Sequence, residues 1–217
     1  GPNFSCTMAT SGPGATNLIT GIACSYFDSI PSIHITGQVN TYEQQKGHKS
    51  TKKVRQVGFQ ETDIVAISKP ITKFSYQLKK PSEIRFILEK AYHIATTGRP
   101  GPVLIDIPMN FQREVINPKK IKSYKVGKDK NFLNLKKKIE NIKNLLIKSK
   151  KPVIILGGGI KYGKAEYELK YFLNKFKIPI VTTWSGVDLI EYKNSNYIGN
   201  IGVYGSRAAN FTVQNSD

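Results

Sequence analysis

Eight residues near the start of the chain, Thr10-Ser11-Gly12-Pro13-Gly14-Ala15-Thr16-Asn17, place two glycines around a proline among small polar side chains. Phe4 to Ala9 before them reads as a buried strand. Leu18, Ile19, Ile22 and Ala23 after them recur at helical spacing. The sequence therefore predicts a strand, a tight glycine turn and a helix, with small polar residues at hand as caps. Such a turn lets backbone approach a ligand closely and points free helix N–H groups at it. The same pattern also serves as an ordinary strand-to-helix connection in a parallel sheet. What accompanies it decides between the two.

Four further stretches follow in order. They are Thr36-Gly37-Gln38-Val39, Phe59-Gln60-Glu61-Thr62-Asp63-Ile64-Val65, Gly98-Arg99-Pro100-Gly101-Pro102-Val103 and Asp106-Ile107-Pro108. Together with the octet they resemble the thiamine diphosphate enzymes related to the acetolactate synthase large subunit. The resemblance is dense up to Pro108 and looser from Lys151 to the end. It implies a carboligase that decarboxylates pyruvate and passes the two-carbon unit to a second 2-keto acid. It also implies thiamine diphosphate, Mg²⁺ and, in many members, FAD.

The resemblance assigns roles by position. Pro13 and Asn17 approach thiamine diphosphate from the octet. Gln60 sits beside the reacting centre, and Phe59 shapes the substrate pocket. Read from the residues alone, Asn17 is a helix cap and Gln60 a solvated loop residue. The arginine matching Arg99 contacts FAD in acetolactate synthases; by itself it would neutralise the end of a helix. Gly157-Gly158-Gly159, Thr183, Trp184, Gly202 and Tyr204 match the loops that hold FAD, although many relatives keep this fold without flavin. The glutamate that activates the cofactor ring lies upstream of the octet in relatives, and neither Glu43 nor Glu61 takes its place. The diphosphate and Mg²⁺ motif of a third domain is also missing from this sequence. We therefore expect the chain to be part of a longer enzyme, inactive alone. The family's active site spans a subunit interface, so a homodimer or homotetramer is implied.

These residues need elements to carry them. Alternating strands and helices over residues 1–112 predict an α/β fold with a parallel sheet. Ser32 to Thr36, Thr72 to Leu78 and Val103 to Ile107 read as strands. Ser82 is the expected cap of a helix bearing Ile84, Ile87, Leu88, Ala91, Ile94 and Ala95, which Gly98 ends. Residues 113–130, charged and without periodicity, read as a linker. Residues 131–217 read as a doubly wound, Rossmann-like central domain, incomplete at its C-terminus. It starts with an amphipathic helix from about Phe132 to Ser149, then strand Val153–Leu156, the glycine turn, and one helix through Tyr167, Leu169, Tyr171 and Phe172. Strand Ile178–Thr182, a glycine-rich loop and a helix started by Ser206 complete it. By resemblance, residues 1–112 are the later part of a pyrimidine-binding domain.

With 217 residues, 39% hydrophobic, the chain can bury a core. No apolar run approaches the roughly 18 residues that span a membrane. No signal region is evident, and Cys6 and Cys24 read as reduced core residues, so a cytoplasmic protein is expected. The net charge of +18 is mostly dispersed lysine, denser at Lys46–Arg55 and Lys119–Lys151. No recognised nucleic-acid module accompanies it, so nucleic acid is not the expected partner. His34, His48 and His93 lack zinc spacing.

Two places depart from the family pattern. Asn40 follows Val39 where proline is usual, and Met109-Asn110-Phe111 follows Pro108 where Lys-Asp-Val is usual. The interval from Gln38 to Gln60 is also long, through the polar loop Asn40–Gly58. These changes border the substrate entrance in the family. The acceptor thus stays open between a 2-keto acid and an anionic alternative such as a keto-sugar nucleotide. A non-catalytic basic binding module and a degenerate fragment are the remaining readings.

Overall fold

The computed structural model describes residues 4–45, 54–127 and 135–217. Most of the basic stretch, with His48, and the start of the amphipathic helix at Phe132 and Leu133 lie outside those residues. The chain divides into two compact units, Gly1–Gly127 and Lys128–Asp217.

The first unit runs β1 (Ser5–Ala9), α1 (Pro13–Asn17), α2 (Ile19–Phe27), β2 (Ser32–Gln38), α3 (Ile64–Ser68), β3 (Phe74–Gln77), α4 (Ile84–Thr96), β4 (Pro102–Pro108) and α5 (Met109–Gln112). Its four strands pair in parallel in the order β1-β2-β4-β3. β4 is central because Val103, Leu104 and Ile105 can be buried on both faces, and all three are. Alternation sends Val103 and Ile105 toward Ile87, Ala91 and Ala95 of α4. Leu104 meets Ala15, Ile22 and Ile64 from α1, α2 and α3 on the other side. The result is a helix-sheet-helix sandwich, the α/β architecture expected. The segment after α5 returns across α4: Arg85 donates to the Pro118 carbonyl at 2.9 Å, and Tyr124 packs edge-on to Phe86.

Several local expectations are corrected. β1 forms, but Ser5, Cys6 and Met8 are exposed, because β1 pairs only with β2 among the described strands. Cys24 lies two residues from the buried Ile22, about 200° around α2, so it too faces outward. Neither cysteine is a core residue. Ser82 sits inside the 3-10 turn Pro81–Glu83 that leads into α4 and makes no cap bond. His34 is buried between the hydroxyls of Thr7 and Ser32, at 2.7 and 3.0 Å. Burial lowers its pKa below the ordinary value.

The second unit contains α6 (Leu135–Lys148), β5 (Ile154–Leu156), α7 (Gly159–Tyr162), α8 (Glu166–Lys175), β6 (Ile180–Thr182), β7 (Tyr197–Asn200) and α9 (Arg207–Gln214). β5, β6 and β7 pair in parallel in that order. Leu156, Leu173 and Ile180 form its core. The single helix expected after the glycine turn is two, because Lys164 adopts a left-handed φ of 52° between α7 and α8. Ser206 caps α9 as expected, accepting from Ala209 N at 3.1 Å.

The end of the chain is tied back by Asp217. Its carboxylate accepts from the Ser149 hydroxyl, from Lys150 N at 2.7 Å and from Lys151 N at 2.9 Å. Those bonds hold its pKa down from 3.8 to about 2. A lowered carboxyl contributes stability above its ordinary value and loses it as pH falls through the folded value. Asp217→Asn should therefore lower the unfolding midpoint at pH 7. The gap from the unaltered chain should close as pH falls from about 4 toward about 2. Denaturant titrations across that range check it.

Candidate active site

In a parallel sheet, ligand sites form beyond the carboxyl ends of the strands, where loops open. β1 delivers the octet there. The N-cap of α1 is Gly12 itself, at φ 59° and ψ −121°, and no side chain caps the helix. The expectation of a small polar cap is therefore replaced by a glycine. A Cβ on Gly12 would lie 2.6 Å from the Gln60 carbonyl oxygen and 2.7 Å from Gln60 Cβ. Gln60 also has a left-handed φ, 56°. Two strained backbones thus meet, which only glycine on one side allows. The structure brings Gly12 of the octet and Gln60, far apart in the sequence, into contact.

Beside this contact opens a cavity of about 750 Å³, in the range of small-molecule sites. Thr10 and Ser11 of the octet, Thr36 and Gln38 of β2, Phe59 and Met109 line it. Phe59 is 83% exposed, an apolar side chain presented at the mouth rather than used in the core. Pro13 and Asn17 bracket α1, both exposed, and neither lines the cavity. Asn17 does not cap α1: the cap N–H of Leu18 bonds to Ala15 O. Gln60 is exposed, and its backbone supplies the contact with Gly12.

The loop between β2 and α3 is closed by Glu61. Its carboxylate accepts from Gln45 N at 2.8 Å and from Gly58 N at 3.4 Å, clamping the two ends of the long insertion. The start of the long polar loop touches the departure after Pro108. Thr41 N donates to Asn110 Oδ1 and Asn110 Nδ2 to Thr41 Oγ1, both at 3.1 Å. Asn40 and Glu43 form a capping box beside them.

Sequence reasoning missed Asp106 as a site residue. It is 1% exposed, on β4 level with Thr36 of β2 and Gln77 of β3. Thr36, Gln38 and Gln77 all donate to its carboxylate. Burial pushes its pKa up, and the three hydrogen bonds oppose that rise. The available signal was an acid inside an otherwise apolar run, Val103-Leu104-Ile105-Asp106-Ile107.

Arg99 lies elsewhere. It precedes β4, at the opposite end of the strands, and its Nε donates to Ser29 Oγ at 2.7 Å. The last carbonyls of α4 are met instead by Lys73 Nζ, which donates to Ile94 O and, at 2.7 Å, to Thr97 O.

In the second unit, the remaining sequence-singled residues gather at the carboxyl end of the sheet. Thr183 N donates to Leu156 O at 2.9 Å, setting Thr183–Ser185 against the Gly157–Gly159 turn. A Cβ on Gly158 would meet Ser185 at 3.1 Å, whereas Gly159 opens to free space. Trp184 and Tyr204, both exposed, pair with ring centroids 5.8 Å apart. Gly202, at φ 117°, is held by Asn210, whose amide bonds both its N–H and its carbonyl at 3.0 Å. Among the described residues, no group of three or more His, Cys, Asp or Glu is arranged to hold a metal. No described helix is long and apolar enough to cross a membrane.

Two family profiles match the chain: the N-terminal TPP binding domain of thiamine pyrophosphate enzymes over residues 2–67, and their central domain over residues 139–217. The chain belongs to the thiamine pyrophosphate enzyme family. The first profile contains the octet and Phe59-Gln60; the second contains the glycine turn and the Trp184–Tyr204 pair. The chain is also 39% identical over 217 residues to the probable acetolactate synthase large subunit of Methanocaldococcus jannaschii, covering 97% of this chain and 34% of that protein. It is 38% identical over 213 residues to the acetolactate synthase large subunit of Lactococcus lactis, covering 97% and 35%. It is 36% identical over 210 residues to the acetolactate synthase isozyme 2 large subunit of Escherichia coli, covering 97% and 36%. This thiamine pyrophosphate enzyme chain thus spans about a third of the length of those curated relatives.

Proposed function

We propose that the protein is a thiamine diphosphate-dependent carboligase of the acetolactate synthase type, joining the two-carbon unit of pyruvate to a second 2-keto acid. The observation that carries this reading is the Gly12–Gln60 approach at the rim of a small-molecule cavity. A Cβ would fill that contact, so the octet is built to bring two backbones together beside a ligand. These residues fit a cofactor-facing wall. When bound, thiamine diphosphate supplies a carbon nucleophile and an electron sink for decarboxylation.

The chain's own residues do the following under this reading. Thr10, Ser11 and the backbone around Gly12 wall the aminopyrimidine side. Pro13 and Asn17, the first and last residues of α1, approach the cofactor. Phe59 covers the keto acid and excludes water, and the Gln60 amide meets the reacting group. Residues that hold the diphosphate and Mg²⁺ belong to another part of the enzyme, contributed across a homodimer or a homotetramer. FAD is assigned to the second unit, at Gly157, Gly158, Gly159, Thr183, Trp184, Gly202 and Tyr204; for Arg99 the support is the resemblance of Gly98-Arg99-Pro100-Gly101-Pro102 alone. The setting is cytoplasmic.

The Thr41–Asn110 bonds give a second reading specific support, because they join the long polar loop to the departure after Pro108 beside Met109, which lines the cavity. Under it the chemistry is the same and the acceptor is an anionic keto-sugar nucleotide. The full-length protein with pyruvate, thiamine diphosphate and Mg²⁺ tests both. Acetolactate formed from pyruvate alone is the expected result. No acetolactate, with product only when the keto-sugar nucleotide is added, moves the assignment to the second. No thiamine diphosphate binding at all overturns both. A flavin absorbance band in the purified protein tests the FAD assignment.

A further inference from the structure

Asp106 is a buried carboxylate that the proposed chemistry does not use. Thr36 Oγ1 donates to its Oδ1 at 2.7 Å, and Gln77 Nε2 and Gln38 Nε2 donate to its Oδ2 at 2.9 and 3.1 Å. Every contact uses the group as an acceptor, which an ionised carboxylate serves in full. Gln38 carries the connection onward. Its Nε2 also donates to the Thr62 carbonyl at 2.8 Å, and its Oε1 accepts from Val39 N at 3.0 Å. Both partners of Nε2 are acceptors and the partner of Oε1 is a donor, so one amide orientation satisfies all three. Thr62 ends the segment that holds Phe59 and Gln60, and Gln60 presses on Gly12.

We propose that Asp106 is a positioning residue for the Phe59–Gln60 segment: it fixes the Gln38 amide, and that amide fixes the Thr62 carbonyl. The proposal rests on the reading that this segment faces thiamine diphosphate and the keto acid. Its geometry can nevertheless be tested without cofactor. Asp106→Leu keeps the branched shape but removes both acceptor oxygens, whereas an asparagine could still present its oxygen to Gln38 and Gln77 and its NH₂ to the Thr36 hydroxyl. With leucine the Gln38 amide loses its partner on that side and is no longer held against the Thr62 carbonyl, which keeps the Ile64 N–H among these partners, at 2.9 Å. Gln77 is the natural control, because it reaches the same carboxylate from β3, across the sheet from the loop.

Hydrogen exchange of the amides of Gln60–Ile64 in the full-length protein, without cofactor, tests the connection. Exchange should rise about tenfold in Asp106→Leu and in Gln38→Met, and stay within about twofold in Gln77→Met. Unchanged exchange in Asp106→Leu and Gln38→Met overturns the proposal. So does a rise in Gln77→Met equal to that in Gln38→Met, which marks general loosening of the sheet. If Asp106→Leu does not fold, the pair of glutamine variants decides alone. Kinetics then separate the proposal from the reading beneath it. Asp106→Leu should lower kcat with little change in KM for pyruvate. A protein that shows the exchange pattern but binds no thiamine diphosphate refutes the functional reading and keeps the positioning role.

Discussion

Replacing Gly12 with alanine is expected to lower turnover of the full-length protein about a hundredfold, the scale of an ångström-sized misplacement at a reacting centre. Two costs coincide at this residue. Its φ of 59° with ψ of −121° is a conformation that L side chains rarely adopt, costing roughly 1–3 kcal/mol. The new methyl would also stand 2.6 Å from the Gln60 carbonyl oxygen and 2.7 Å from Gln60 Cβ. Neither neighbour is the end of a flexible chain, so the Phe59–Gln60 segment must move away. The sheet beneath should hold, because the core at Val103, Leu104 and Ile105 meets the octet through Ala15 within α1 and not through Gly12. The loss should therefore appear in kcat and in thiamine diphosphate affinity rather than in the unfolding midpoint alone. Gly21→Ala is the matched control. A Cβ there meets nothing within 4 Å, and the exchange within α2 should add up to about 1 kcal/mol of stability. A Gly12→Ala protein with unaltered kcat and cofactor affinity would mean that the octet and Gln60 do not act together.

The turn was legible because its signals are local: an apolar run, two glycines around a proline, then helical spacing. β4 and α4 were legible for the same reason, one as a continuous apolar strand and the other as a 3.6-residue stripe. The failures have a different origin. That Gly12 presses on Gln60, and that Asp106 collects Thr36, Gln38 and Gln77, follow from strand order and register. No local window encodes those pairings. The outward-facing Cys6 and Cys24 show the same limit, since apolar neighbours in sequence do not say which side of an element is covered. β7 has no counterpart in the sequence reading, because Tyr197-Ile198-Gly199-Asn200 is short and runs into the glycine-rich loop, and its strand character comes from pairing with β6. The break between α7 and α8 lies at Gly163-Lys164, where Lys164 takes up a left-handed conformation that favours glycine or asparagine.

In the second unit, Gly186→Ala should be strongly damaging, and the physics differs from that at Gly12. Gly186 lies in the 3-10 segment Trp184–Leu189 and is buried. Its Cβ would stand 2.5 Å from Leu156 O, 3.0 Å from Leu156 C and 3.2 Å from Gly157 Cα. All are backbone atoms at the end of β5, and Leu156 O already accepts from Thr183 N. Relief requires that the Trp184–Ser185 stretch lift from the glycine turn. That breaks the Thr183 contact and costs roughly 1–3 kcal/mol or more. Trp184 reports the movement directly, being the one tryptophan of the chain and paired with Tyr204. Its emission should change in the folded variant, and its unfolding midpoint should fall. Gly159→Ala, whose Cβ meets nothing within 4 Å, should leave both within experimental error. If the FAD assignment is right, Gly186→Ala also loses flavin. A Gly186→Ala chain with unaltered emission and midpoint would mean that Thr183–Ser185 does not rest on the Gly157–Gly159 turn in solution. The flavin assignment to that edge would then lose its structural support.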